Sequence, residues 1–107
     1  MAEKQLYVMQ TRIGLGITFD KIGVSTNPES RRSDLQGGNP MKLEIYTTIE
    51  ADDPYQVESR LMDIFKMHDW HLRREWFDLP KRVLRQLENN DYLTVKQCDE
   101  IFIGDRL

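Results

Sequence analysis

The stretch KIGVSTNPESRRSDLQGGNP, residues 21–40, carries the end of a strand, a helix start, a helix stop and a turn in immediate succession. In FDKIGV (19–24), Phe19, Lys21 and Gly23 share one face while Ile22 and Val24 share the other, the period of a strand. Asn27-Pro28-Glu29 supplies an N-cap, a proline at the first helical position and an acid in the first turn. Gly37-Gly38 closes that helix. Two adjacent arginines, Arg31 and Arg32, lie inside it, an unusual investment of charge for an acidic chain.

Working outward, QLYVMQ (5–10) reads as a strand and TRIGLGIT (11–18) as a connecting loop, whose G-x-G lacks the third glycine of a dinucleotide fingerprint. KLEIYTTIE (42–50) alternates, with Leu43, Ile45, Thr47 and Ile49 expected on one covered face. DDPYQVESRLMDIFKMH (52–68) repeats the Asp-Pro start signal and spaces Val57, Leu61, Ile64 and Phe65 for a helix. REWFDLP (74–80) is a short aromatic segment, KRVLRQLENN (81–90) a small helix burying Val83, Leu84 and Leu87, and LTVKQCDEIFIG a final short helix. The order strand, strand, helix, strand, helix is that of a small α+β domain, within the α/β class in its broad sense.

The 107 residues, 39% of them hydrophobic and 31% charged, suffice for a single core. No window approaches about 18 consecutive apolar residues, and MAEKQLYVMQ lacks a secretory signal, so a soluble intracellular protein with no membrane partner is expected. The lone Cys98 can form neither an internal disulfide nor a cysteine cage and reads as an inert thiol. A net charge of −3 gives no global attraction for nucleic acid. Any such contact must be local, and residues 66–85 collect Lys66, Arg73, Arg74, Lys81, Arg82 and Arg85 with His68 and His71. The same charges also suit a plain solvated helix edge.

Helical phase singles out two charged residues. Glu58 falls at the border of the second helix's apolar arc, beside Met62 and Phe65, where a carboxylate needs a cation or donors. Arg31 lies one turn before Leu35, the main apolar residue of the first helix, and is expected to face a cleft, with Arg32 turned to solvent. Arg31 and Glu58 could simply pair. Alternatively, they converge with Lys21 and Tyr7 on an open surface, with Gly23 leaving room for a substrate to approach. A guanidinium for a phosphate, a carboxylate for a hard cation and a tyrosine or lysine for a proton suit phosphodiester hydrolysis.

LYVMQ, KIGVSTNPESR, LQGGNP, VESRLMDIF and REWFDLP, taken in order, resemble the GIY-YIG nuclease superfamily, in particular a phage-associated branch carrying K-I-G and E-W-F. The resemblance covers about residues 6–80, and implies a nuclease domain over 1–80 with a helical extension, 81–107, packed on it. It implies a small three-stranded antiparallel sheet flanked by helices, and metal-dependent endonuclease activity with slight sequence specificity. Tyr7 matches the tyrosine of the first motif and Lys21 stands at the tyrosine of the second. Arg31 matches the phosphate-contacting arginine, and Glu58 the single carboxylate for magnesium or manganese. Lys21 would act as a base only with a pKa well below about 10, and is otherwise a positive charge for the phosphate. Arg32, Arg73, Arg74, Lys81 and Arg82 are the expected nucleic-acid contacts, with DNA ahead of RNA as partner, and a homodimer would serve to cut a duplex. The resemblance also implies the cytoplasm of a bacterial or phage-infected cell. Gln5-Leu6 before Tyr7, Met62 after Leu61, and Arg74 where glycine often precedes E-W-F depart from the pattern. The acidic charge and Lys21 in place of tyrosine keep open a second reading, a module that binds nucleic acid without cutting it, and a third is a protein-contact module using Trp70, Trp76 and Phe77.

Overall fold

The computed structural model describes residues 3–103. Strands β1 (Gln5–Gly14) and β2 (Ile17–Ser25) form an antiparallel hairpin, followed by helix α1 (Pro28–Gln36) and strand β3 (Leu43–Ala51). Helix α2 (Pro54–Met67), the short strands β4 (His71–Arg73) and β5 (Trp76–Phe77), helix α3 (Lys81–Asn89), strand β6 (Tyr92–Leu93) and helix α4 (Val95–Cys98) complete the order. A single π-helical turn, Asp99–Ile103, follows α4. The sheet is larger than the three strands implied by the resemblance: six strands lie in the order β4-β5-β2-β1-β3-β6. Its additional members are two or three residues long and carry no periodicity of their own. The β3–β6 pair is parallel and the others are antiparallel, so the sheet is mixed.

The segment expected as a loop at 11–18 is the stem and tip of the β1–β2 hairpin. Only Gly14, Leu15 and Gly16 turn the chain, all three with positive φ (125°, 54° and 78°), which the glycines accept without a steric penalty. The G-x-G is thus a hairpin tip.

Both faces of the sheet are covered, which breaks the alternation expected of β3. The register steps from Val8↔Thr47 to Met9↔Ile45, leaving Tyr46 as a bulged residue. Ile49 consequently joins Leu6, Val8 and Ile22 under α2 and α3, while buried Leu43 lies opposite Thr11 on the other face, where α1 covers β3. Tyr46 packs against the main core and sends its hydroxyl to Glu88 of α3 at 2.7 Å.

Helices α1, α2 and α4 begin at side-chain caps, while α3 follows Pro80 without one. The Asn27 side chain accepts from Ser30 N at 3.0 Å and the Asp53 side chain from Gln56 N at 3.3 Å. Thr94 and Gln97 form a reciprocal capping box that starts α4. The main core centres on Phe65, whose ring meets Trp70, Phe77 and Phe102 at centroid separations of 5.9, 5.8 and 5.7 Å. Val83, Leu87, Cys98 and Phe102 share that core with Leu6, Ile22 and Phe65, so the spans 1–80 and 81–107 meet in one hydrophobic cluster. Residues 1–2 and 104–107 of those spans lie outside the described residues. Burial pushes the Cys98 thiol up to about 11, in keeping with an unreactive core residue.

Two polar side chains hold the site-bearing segments. Gln36 donates to the carbonyls of Asn39 and Met41 at 3.1 and 3.0 Å and accepts from Leu43 N at 2.7 Å, stapling the Gly-Gly-Asn-Pro turn to the start of β3. Asp20, fully buried, accepts from Gln10 Nε2 at 2.9 Å and from Leu79 N at 3.1 Å, which fixes the chain after β5 against β2.

Candidate active site

Tyr7 lies directly opposite Gly23 in the β1–β2 ladder. A Cβ built on Gly23 would come within 2.2 Å of the Tyr7 ring and hydroxyl, so the phenol occupies the space that the missing side chain leaves. Gly23 was expected to make room for a substrate; the room is taken by Tyr7. Burial pushes the Tyr7 phenol above its ordinary value, opposed by the Arg31 guanidinium beside it. Glu75 and Glu58 act on the same phenol in the raising direction, which brings residues from β1, α1, α2 and the β4–β5 turn within electrostatic reach of one hydroxyl.

Lys21, two residues before Gly23 on the same face of β2, is buried; its side chain is 9% exposed. Its ammonium is ion-paired with Glu75 and sits 5.9 Å from the ring centroid of Trp76, its cross-strand neighbour on β5. Burial, and then the neighbouring Glu75 carboxylate, push Glu58 above its ordinary value, while Lys21 pulls it back. Lys21 also lines an open groove of about 390 Å³ with Leu35, Asn39, Leu43 and Trp76.

The structure thus brings Tyr7, Lys21, Arg31 and Glu58 into one neighbourhood and adds a residue that the sequence reading passed over, Glu75. Its signal was available in the chain: a carboxylate immediately before Trp76-Phe77 is delivered to whatever strand those two residues join. Arg74, next to it, has φ 54°, in the left-handed region that favours glycine. That backbone accounts physically for the glycine that often precedes E-W-F.

The expected phosphate contacts divide. Arg31 is exposed, whereas Arg32, expected in solvent, is the more covered of the two and bonds Glu29 one turn back at 2.6 Å. Arg73 and Arg74 are exposed at the β4–β5 turn, next to Glu75. Lys81 and Arg82 are also exposed but sit on α3, which packs against the Leu6–Val8 face of the sheet, opposite Tyr7 and Lys21. The basic segment is therefore not one continuous surface. His68 stacks on Trp70 at 4.4 Å and bonds the Phe102 carbonyl, and His71 bonds the Arg74 carbonyl, so each has a structural partner.

Among the described residues, no group of three or more His, Cys, Asp or Glu side chains is placed to cage a metal ion. What is present is a half-buried carboxylate, Glu58, disfavoured in its charged form by burial and by a second carboxylate. That donor set fits a hard divalent cation that keeps several waters and takes further oxygens from a phosphate, and does not fit an all-protein site.

No helix among the described residues is long and apolar enough to cross a membrane. In comparisons with known proteins, a family model described as the T5orf172 domain matches residues 5–99. No curated protein and no solved structure matches the chain.

Proposed function

The chain belongs to the T5orf172 domain family, and on that premise we propose that it is a metal-dependent endonuclease of the GIY-YIG type, hydrolysing phosphodiester bonds in nucleic acid, DNA ahead of RNA. This phage-associated family is consistent with a nuclease-like or nucleic-acid-associated role. The observation that carries the reading is the gathering of a phenol, an ammonium, a guanidinium and a disfavoured carboxylate within electrostatic reach of one another, with the Lys21 ammonium lining an open groove.

Glu58, with Glu75 beside it, would hold magnesium or manganese. When bound, such an ion polarises the phosphate and favours departure of the leaving oxygen. Arg31 binds the scissile phosphate and offsets the charge that develops on its oxygens. The Lys21 ammonium adds a second positive contact once it leaves Glu75. Tyr7, whose phenol burial pushes further above its ordinary value, orients the attacking water by accepting a hydrogen bond at Oη. Arg73 and Arg74 extend the positive surface on the β4–β5 turn, and Arg32 serves only if it exchanges Glu29 for a phosphate. Lys81 and Arg82 would touch a nucleic acid that wraps past the sheet edge. A single small site cuts one strand at a time, so cleavage of a duplex calls for a homodimer or two encounters.

The test is incubation of supercoiled plasmid, single-stranded DNA and RNA with magnesium or with EDTA, alongside Glu58→Ala and Arg31→Ala. Magnesium-dependent cutting should fall by about 100-fold or more in either variant. Cutting that survives Glu58→Ala overturns the site. The ion pair between Lys21 and Glu75 favours a second reading, a module that binds without cutting; absence of cutting on every substrate, with binding retained in EDTA, would promote it.

A further inference from the structure

The groove beside Lys21 does not end at Trp76. Trp76 and Asn39 line both it and a second hollow of about 300 Å³, so the indole forms a partition between the two. The second hollow is built on Thr11 and Phe19, which pair across β1 and β2, and is bordered by the exposed Met41, Leu72 and Arg73.

Three features of this hollow point to one kind of occupant. Its walls are aromatic and aliphatic, and its size is at the lower end of small-molecule pockets, enough for one ring system. Arg73 supplies a cation at the border. Thr11 Oγ1 is buried with no hydrogen-bond partner among the described residues, an orphan that native structures rarely leave unexplained. Thr11 itself is one of the residues lining the hollow. Asn39 uses its carboxamide oxygen on Met41 N at 2.9 Å, which leaves its NH2 group as a donor. An aliphatic side chain would fill such a space but answer neither the hydroxyl nor the cation. A nucleobase answers all three, with a flat face for the indole, a polar edge for Thr11 and Asn39, and a backbone phosphate for Arg73.

We infer that the hollow behind Trp76 is a subsite for one unpaired nucleobase, taken from the same strand whose phosphate lies beside Lys21. The inference rests on the nucleic-acid reading above and narrows its substrate to strands with an unstacked base next to the cut, either single-stranded or locally flipped from a duplex. It makes Trp76 the platform, Thr11 the group that reads the base edge and Arg73 the anchor of the flanking phosphate.

The experiment measures binding in EDTA, where no cutting occurs. Fluorescently labelled duplexes carry, at one position, either an unpaired dT nucleotide or an abasic nucleotide, and single strands carry the same pair of changes. The base should tighten binding by about 10-fold over the abasic site, and the two arms separate a flipped base from a single-stranded one. That ratio should fall toward one in Trp76→Leu and in Thr11→Val. A ratio of one in the wild-type protein overturns the inference, as does a ratio that neither variant changes. Should Trp76→Leu fail to fold by circular dichroism, Thr11→Val decides alone, because valine keeps the shape of threonine and removes only the hydroxyl. A wild-type dimer that Leu15→Asp dissociates, combined with a ratio of one, would assign the hollow to the hairpin tip of a second copy. Failure of the nuclease reading is seen separately, as absence of magnesium-dependent cutting by a protein that still prefers the base.

Discussion

Tyr7 and Gly23 are a matched pair: the phenol lies where any side chain at position 23 would have to go, with an added Cβ only 2.2 Å from the ring and hydroxyl. Gly23→Ala should therefore displace Tyr7, costing about 1–3 kcal/mol as overpacking of a closed site. In a double-mutant cycle, replacing Tyr7 with Ala should remove most of that cost, because the clash then has no partner. Urea unfolding of the four proteins checks this, and additive costs would refute it.

Glu75 controls the charge around Glu58. Its carboxylate raises Glu58, and its pairing with Lys21 ties up the cation that lowers it. Glu75→Gln should thus shift the Glu58 titration to lower pH in the metal-free protein, measured by carbon-13 NMR of the Glu58 carboxyl. An unchanged midpoint would mean that burial alone sets it.

Asp20 should make the protein less stable as pH rises. Its folded value, about 6, lies above the ordinary 3.8, chiefly because of burial, so the folded state holds the proton more tightly than the unfolded chain. The resulting stabilisation, about 3 kcal/mol for a shift of this size, is complete below about pH 4 and is lost as pH rises through about 6. The comparison that isolates Asp20 from every other titrating group is with Asp20→Asn. Urea midpoints should converge toward acid and separate toward neutrality in favour of the variant. A constant offset across that range would sink the account.

Arg74→Gly should stabilise the fold. A left-handed residue with a side chain costs about 1–2 kcal/mol, and the greater freedom of glycine in the unfolded chain returns about 0.5–1 kcal/mol of that. A net gain near 0.5–1 kcal/mol is expected in thermal or urea unfolding. The hydrogen bond from His71 is retained, since it is made to the Arg74 carbonyl. Destabilisation would show that the Arg74 side chain contributes more than its backbone strain costs.

Residues whose partners lie close in the chain were legible without a structure. Asn27-Pro28 and Asp53-Pro54 start their helices because cap, proline and first-turn hydrogen bonds are local, and the spacing of Val57, Leu61, Ile64 and Phe65 shows which side of α2 is buried. Arg32 is an exception, since helical phase gives its side but not its partner, Glu29, which it meets at the surface three residues back. The face of β3 was misread for a different reason: the bulge at Tyr46 serves two covered faces where alternation presumes one.

By itself, then, the sequence determined the helices, the first three strands in outline and the four residues whose types suit phosphodiester chemistry, since all of these follow from local caps, periods and motif order. Tertiary structure alone decided the rest. Strands of two or three residues have no period to read and exist only through their neighbours. The partner of Lys21 lies 54 residues away at Glu75, and that of Asp20 lies 59 residues away at Leu79. Which charge meets which, and whether Trp76 is core or the wall of a groove, depends on where the sheet's edges fall, and no local pattern encodes that.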